Sequence, residues 1–204
     1  GTTGSGKTTT LASIVEYINQ RRKCHIITIE DPIEYLHTDK KALISQREIG
    51  LDTLDFASAL KSVMRQDPDV ILVGEMRDLE TFQAAISAAE TGHLVFTTLH
   101  TTNVMQTMDR IIDLFPANQQ DQIRSQLSLN LQGIMCMRLL PRADGSGRVP
   151  ACEVLVMNPA ARVLIRENRI AQLNTVIASG KEEGMIGFND SLNDLIKEGL
   201  ITRE

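Results

Sequence analysis

The first eight residues, "GTTGSGKT", follow the phosphate-loop pattern G-x-x-x-x-G-K-[ST] through Gly1, Gly6, Lys7 and Thr8, and no other stretch constrains the fold as strongly. Glycine lets successive backbone N–H groups converge on phosphate oxygens, and the helix expected next presents its positive end to them. The cradle read from the pattern comprises Gly1, Thr3, Gly4, Ser5, Gly6, Lys7, Thr8 and Thr9, with Lys7 reaching the outer phosphates and the Thr8 hydroxyl ligating Mg²⁺. A loop of this kind normally follows a strand. No strand-like run precedes Gly1 and no initiator Met is present, so the chain reads as part of a longer protein whose first sheet strand lies upstream.

Strand-like and helix-like segments then alternate, which points to an α/β layer architecture. "TTLASIVEYINQRR", "DFASALKSVMRQ" and "DLETFQAAISAAE" read as helices, while "CHIITIE", "VILVGE" and "HLVFTTLH" read as buried strands. Further on, "NVMQTMDRIIDLF" carries apolar residues at 104, 105, 108, 111, 112 and 115, a helical stripe closed by Pro116. A second helix is expected over about Gln119 to Ile134, a hairpin around "ADGSG" at 143–147, and helices from Pro159 onward. The domain reading is a core over 1–158 that lacks its first strand and a C-terminal helical subdomain over 159–204.

With 204 residues, 42% of them hydrophobic, the chain can bury a real core, and its longest apolar runs are strand-sized. None approaches the roughly 20 apolar residues that a membrane helix needs. A net charge of -5 argues against general nucleic-acid binding and for protein partners. Cys24, Cys136 and Cys152 are odd in number and widely spaced, without a C-x-x-C pair to hold zinc, and read as reduced thiols in a cytosolic compartment.

Two acidic strand ends narrow the chemistry. Open α/β sheets bind ligands at the carboxyl ends of their strands. "ITIEDPIE" places Glu30, Asp31 and Glu34 at one such end, and "DPDVILVGEMRD" places Glu75 at another. A carboxylate there can hold Mg²⁺, directly or through water, or orient an attacking water. The guanine-reading N-K-x-D is absent, which weakens a GTPase reading.

Four motifs stand in a fixed order: the phosphate loop at 1–8, an aspartate box "IEDPIEYLH" at 29–37, an atypical Walker B "DVILVGEMRD" at 69–78, and a histidine box "TGHLVFTTLHTTN" at 91–103. In this the chain resembles the hexameric secretion-superfamily ATPases, and most of all the branch that retracts type IV pili and drives twitching motility. Walker B in that family lacks the usual aspartate before the glutamate, as Gly74 before Glu75 does here. The resemblance implies a RecA-like P-loop NTPase core and an ATP hydrolase using ATP and Mg²⁺. Thr8 and Glu75 would serve the metal, and Glu34 or Glu30 would be the aspartate-box base. His93 and His100 match the histidine box, where a histidine facing the nucleotide, expected to be His100, would sense the γ-phosphate or relay between subunits. Arg47, Arg65 and Arg77 each lie beside a catalytic motif, and at least one, with Arg47 and Arg65 foremost, is expected to act on a neighbouring subunit's nucleotide.

The resemblance further implies a homohexamer on the cytoplasmic side of a bacterial inner membrane. Its partners would be the pilus platform protein there and an accessory retraction ATPase, with no nucleic acid and no zinc. In place of the four-cysteine zinc insert of the extension and type II secretion branches stands "RLLPRADGSGRVPACEVLV". The segment "AARVLIRE" at 160–167 resembles the retraction signature, with Ala161 and Val163 departing from it. An accessory retraction paralogue, a non-hydrolysing ring partner, a type II secretion or pilus-extension ATPase and a DNA-translocating ring are the alternative readings, the secretion and extension branches being disfavoured by the missing zinc insert.

Overall fold

The computed structural model describes residues 1–203. The chain divides into two compact units, one of Lys7–Leu99 and the other of Gly1–Gly6 with His100–Glu204, a division that falls elsewhere than the 158/159 boundary expected above.

In the first unit, helix α1 (Lys7–Arg21) is followed by β1 (His25–Glu30), β2 (Leu43–Glu48), α2 (Phe56–Val63), β3 (Val70–Val73), α3 (Leu79–Glu90) and β4 (Leu94–Thr97). The four strands form one parallel sheet in the order β2-β1-β3-β4, with Ile29 beside Val73 and Val73 beside Thr97. Helices on a parallel sheet bury both of its faces, so β3 is apolar throughout and β1 is apolar apart from Thr28 and its two end residues. Ile26, Val70 and Leu72 pack with Val15 and Ile18 of α1 on one face. Ile27, Ile29, Ile71 and Val73, one step out of phase, are fully enclosed on the other. Asp55 and Asp78 start α2 and α3 by accepting the N–H of Ser58 (2.7 Å) and Thr81 (2.8 Å).

Strand β2 has no counterpart in the sequence reading. It is an edge strand, and in "LISQRE" neither alternate set of residues is apolar, so the period-2 signal is absent. The run "HLVFTTLH" was expected to be strand throughout, but β4 stops at Thr97.

The second unit contains α4 (Val104–Asp113), α5 (Gln120–Asn130), the antiparallel hairpin β5 (Gly133–Pro141) and β6 (Arg148–Val156), α6 (Pro159–Arg166), α7 (Leu173–Ser179) and α8 (Phe188–Lys197). The hairpin turns at 142–147, where "ADGSG" was read as a turn. Helix α5 ends at Asn130, four residues short of the expected Ile134. A Cβ on Gly133 would sit 2.8 Å from the Leu155 carbonyl oxygen, so the close pairing of β5 with β6 requires glycine where the helix had been extended. Leu195 and Ile201 seal Ala151 of β6 from solvent, and Arg162 of α6 donates to the last carbonyls of α5, Ser128 O (2.7 Å) and Leu129 O (2.9 Å).

Candidate functional site

The parallel register brings the carboxyl ends of β1 and β3 to one edge, so Glu30 and the Gly74–Glu75 pair leave the sheet side by side. Gly74 donates its N–H to the Ile29 carbonyl at 2.8 Å, and a Cβ there would lie 3.3 Å from that same oxygen. The position before Glu75 is therefore crowded by β1. The Thr98 hydroxyl closes the other side, donating to the Gly74 carbonyl at 2.6 Å.

Lys7 opens α1 and is partly buried, which lowers its pKa, while the Glu75 carboxylate opposes that shift by raising it. Glu75 is largely enclosed and pairs with the exposed Arg77 guanidinium. From the connection between β1 and β2, Glu34 accepts the Thr8 hydroxyl at 3.2 Å, and the next residue, Tyr35, shares a hydrogen bond with the Thr9 hydroxyl at 3.1 Å. Two successive residues of the aspartate box thus meet two successive residues of α1. Glu30 has other partners: its Oε1 accepts the Thr28 hydroxyl at 2.7 Å and the Gln46 amide at 3.3 Å.

The connection bearing Glu34 is held along its length. Ile33 donates its N–H to Glu48 (3.0 Å), and His37 donates its N–H to Gln46 Oε1 (2.9 Å). Gln46 Nε2 also donates to the Tyr35 carbonyl (2.8 Å). Further along, the Asn19 side chain donates to Thr38 O (2.9 Å) and accepts from Lys40 N–H (3.0 Å).

Residues 1–6 lie in the other unit. Positive φ at Gly4 (74°) and Gly6 (93°) is backbone geometry that glycine permits and that anion-binding loops use. Ser5 donates its N–H to Thr2 O at 3.2 Å, and its hydroxyl is buried with no hydrogen-bond partner among the described residues. An orphaned buried hydroxyl between two positive-φ glycines fits a phosphate oxygen as its acceptor. The oxygen groups of Thr8 and Glu75, the two residues expected to serve the metal, are hard donors of the kind that suits Mg²⁺.

The remaining residues singled out from sequence fall in different settings. Arg47 donates to the Gln66 side chain at 2.6 Å, and Arg65 is exposed. His93 lies before β4, at the sheet edge opposite the carboxyl ends, and donates Nδ1–H to the Ala88 carbonyl at 2.9 Å, closing the end of α3. His100 is exposed in the second unit. Tyr35, Gln46, Glu48 and Asn19 escaped the sequence reading. Tyr35 adjoins Glu34, and a glutamine inside a run flanking the acidic box was the available signal for Gln46.

A phosphate-loop sequence leading into α1, with acids at the carboxyl edge of a parallel sheet, defines a nucleotide-binding P-loop NTPase core of the RecA-like kind. The family model described as type II/IV secretion system protein matches residues 1–190, and the chain belongs to that family. It is 55% identical over 204 residues to a twitching motility protein of Neisseria gonorrhoeae, covering all of this chain and 54% of that relative. To the type IV pilus retraction ATPase PilT of Pseudomonas aeruginosa it is 52% identical over 204 residues, again covering all of the chain and 59% of the relative. The crystal structure of the pilus retraction motor PilT with bound ADP superposes with a TM-score of 0.93 at 55% identity, over 100% of this chain and 57% of that one. The chain therefore spans a little over half the length of the relatives it matches.

Proposed function

We propose that this chain is the ATP-hydrolysing core of a hexameric motor that retracts type IV pili and so drives twitching motility. The observation carrying the reading is the contact of the aspartate box with the phosphate-loop helix: Glu34 on Thr8 at 3.2 Å, in the unit where Glu75 bears electrostatically on Lys7. Similarity to a retraction ATPase and to a twitching motility protein supports the biological assignment over an accessory or non-hydrolysing role.

In this reading the phosphate-loop residues Gly1, Thr3, Gly4, Ser5, Gly6, Lys7, Thr8 and Thr9 bind the phosphates, Lys7 by its charge and the glycine-rich stretch by its backbone N–H groups. Thr8 and Glu75 would hold Mg²⁺, which would supply charge neutralisation for the phosphates. Glu34 orients the attacking water. Glu30 is the weaker candidate, because Thr28 and Gln46 already occupy one of its oxygens. His100 senses the γ-phosphate, and the exposed Arg65 is better placed than Arg47, which is engaged by Gln66, to reach a neighbouring subunit. Positioning and charge stabilisation supply the rate gain, since phosphoryl transfer asks little covalent chemistry of the protein. The motor works at the cytoplasmic face of the inner membrane against the pilus platform protein, with an accessory retraction ATPase as a second partner.

Phosphate release by the full-length protein tests the assignment. Lys7→Ala, Glu34→Gln and Glu75→Gln should each lower turnover by about a hundredfold or more, the scale of losing one preorganised group. Rates equal to the unsubstituted protein in all three would overturn it.

A further inference from the structure

The β1–β2 register sets Gln46 directly beside Thr28, with Glu30 beside Glu48 one pleat further on. Residues two apart on a strand share a face, so Thr28, Glu30, Gln46 and Glu48 stand together on one side of the sheet. Three of the connections made on that face pass through one side chain. Gln46 donates to the Glu30 carboxylate (3.3 Å) and to the Tyr35 carbonyl (2.8 Å), and accepts the His37 N–H (2.9 Å). A primary amide suits this place because it offers two donor hydrogens and an acceptor from one planar group. Arginine or lysine would lack the acceptor, and glutamate would lack the donors.

The backbone that Gln46 grips at residues 35 and 37 immediately follows Glu34. The Tyr35 hydroxyl meets Thr9 while the Tyr35 carbonyl is held by Gln46, so that residue is fixed from both ends. Glu34 itself is exposed, so neighbouring packing does little to define where its carboxylate sits. Its placement depends on the backbone that carries it.

We propose that Gln46 is the positioning residue of the aspartate box, a three-way clamp from edge strand β2 that holds the backbone behind Glu34 and immobilises Glu30. The inference rests on the reading of Glu34 as the group that orients water. Gln46 touches neither phosphate nor metal in this assignment, so its loss should lower kcat and leave nucleotide binding intact. A misplacement of about 1 Å at a reacting group costs up to about a hundredfold.

The test uses the full-length protein. Gln46→Ala is expected to lower kcat by about tenfold or more while KM and the dissociation constant for ATP stay within about twofold of the unsubstituted values. Hydrogen exchange at the His37 amide should accelerate in the same variant. Gln46→Glu keeps the acceptor for His37 but loses both donors and sets a second carboxylate against Glu30, so it should lower kcat while sparing the His37 amide. Combining it with Glu30→Gln returns an amide–carboxylate pair with the roles exchanged, and kcat should partly recover above the Gln46→Glu level. An unchanged kcat in Gln46→Ala overturns the proposal, as does parallel loss of ATP binding or the absence of recovery in the exchanged pair. If the unsubstituted protein itself releases no phosphate, the ATPase reading fails on its own account. The His37 amide then still decides the clamp, with unchanged exchange in Gln46→Ala refuting it.

Discussion

Asn19 is completely buried near the end of α1, and its side chain ties that helix to the far end of the aspartate-box connection, beside the Glu16–Lys40 ion pair. Replacing it with alanine removes three hydrogen bonds: to Thr38 O (2.9 Å), from Lys40 N–H (3.0 Å), and to the Glu16 carboxylate (3.2 Å). Each bond contributes about 1 kcal/mol net, and the freed groups on exposed residues 38 and 40 can find water, so the loss should be about 2–3 kcal/mol. The Lys41 and Ala42 N–H groups donate instead to the main-chain oxygen of Asn19 (2.9 and 3.4 Å), which the substitution leaves in place. Amide hydrogen exchange can therefore separate the side-chain link from the main-chain one. In Asn19→Ala the Lys40 amide should exchange faster by about the factor of 30–150 that 2–3 kcal/mol represents at 25 °C, with a smaller change at Lys41 and Ala42. Asn19→Asp supplies the chemical control. It keeps the acceptor for Lys40 but cannot donate to Thr38, and it buries a charge beside Glu16, so it should destabilise the unit more than alanine does. Unchanged Lys40 protection in the alanine variant, or a more stable aspartate variant, would refute the reasoning.

Two further predictions concern charge. Burial lowers the Lys7 pKa, so ATP affinity should fall with rising pH before an ordinary lysine of 10.5 would deprotonate, and Lys7→Arg should remove that alkaline decline in a fluorescent-nucleotide titration. The sign follows because the cation is present below the lowered pKa, where it can meet phosphate, and is lost as pH rises through it. In the second unit, Arg162→Ala removes two charge-assisted bonds to the end of α5 at 2.7 and 2.9 Å. It should lower stability in urea by about 2–4 kcal/mol, whereas Arg166→Ala, exposed at the end of the same helix, should change it by less than about 0.5 kcal/mol.

The phosphate loop, both buried central strands and the capped helices were legible because each announces itself within a few residues: a glycine pattern, an apolar run, an Asp three residues before the N–H it accepts. Long-range pairing was not. The choice between Glu30 and Glu34 depends on Gln46, sixteen residues beyond Glu30 and adjacent to it only through the β1–β2 register. Edge strand β2 left no period because the carboxyl-side residues on its Glu30-facing side, Gln46 and Glu48, are polar, employed in gripping a loop rather than filling a core. The histidine box showed the same limit. Its spacing presents His93 and His100 as equals, whereas the start of β4 after His93 consigns that residue to the amino edge of the sheet.

Gly74 explains why the acid touching Thr8 comes from the connection after β1. A carboxylate directly before Glu75 would need a Cβ within 3.3 Å of the Ile29 carbonyl and 3.5 Å of the Glu30 Cα, against backbone that the Gly74 hydrogen bond draws in to 2.8 Å. Relieving that contact means separating β1 from β3 at the edge where Glu30 and Glu75 leave the sheet, which disturbs the arrangement such an acid would serve. Glu34 meets the Thr8 hydroxyl without entering that crowded ladder. The arrangement moves the burden of precision from a central strand, where packing fixes position, to a connection that needs its own restraints. Gln46 and Glu48 supply them from one side, and the Thr9 hydroxyl and Asn19 from the other. A site built this way can be loosened from the edge strand without unfolding the sheet, so the geometry of Glu34 is adjustable independently of the Lys7 and Glu75 that remain tied to the core.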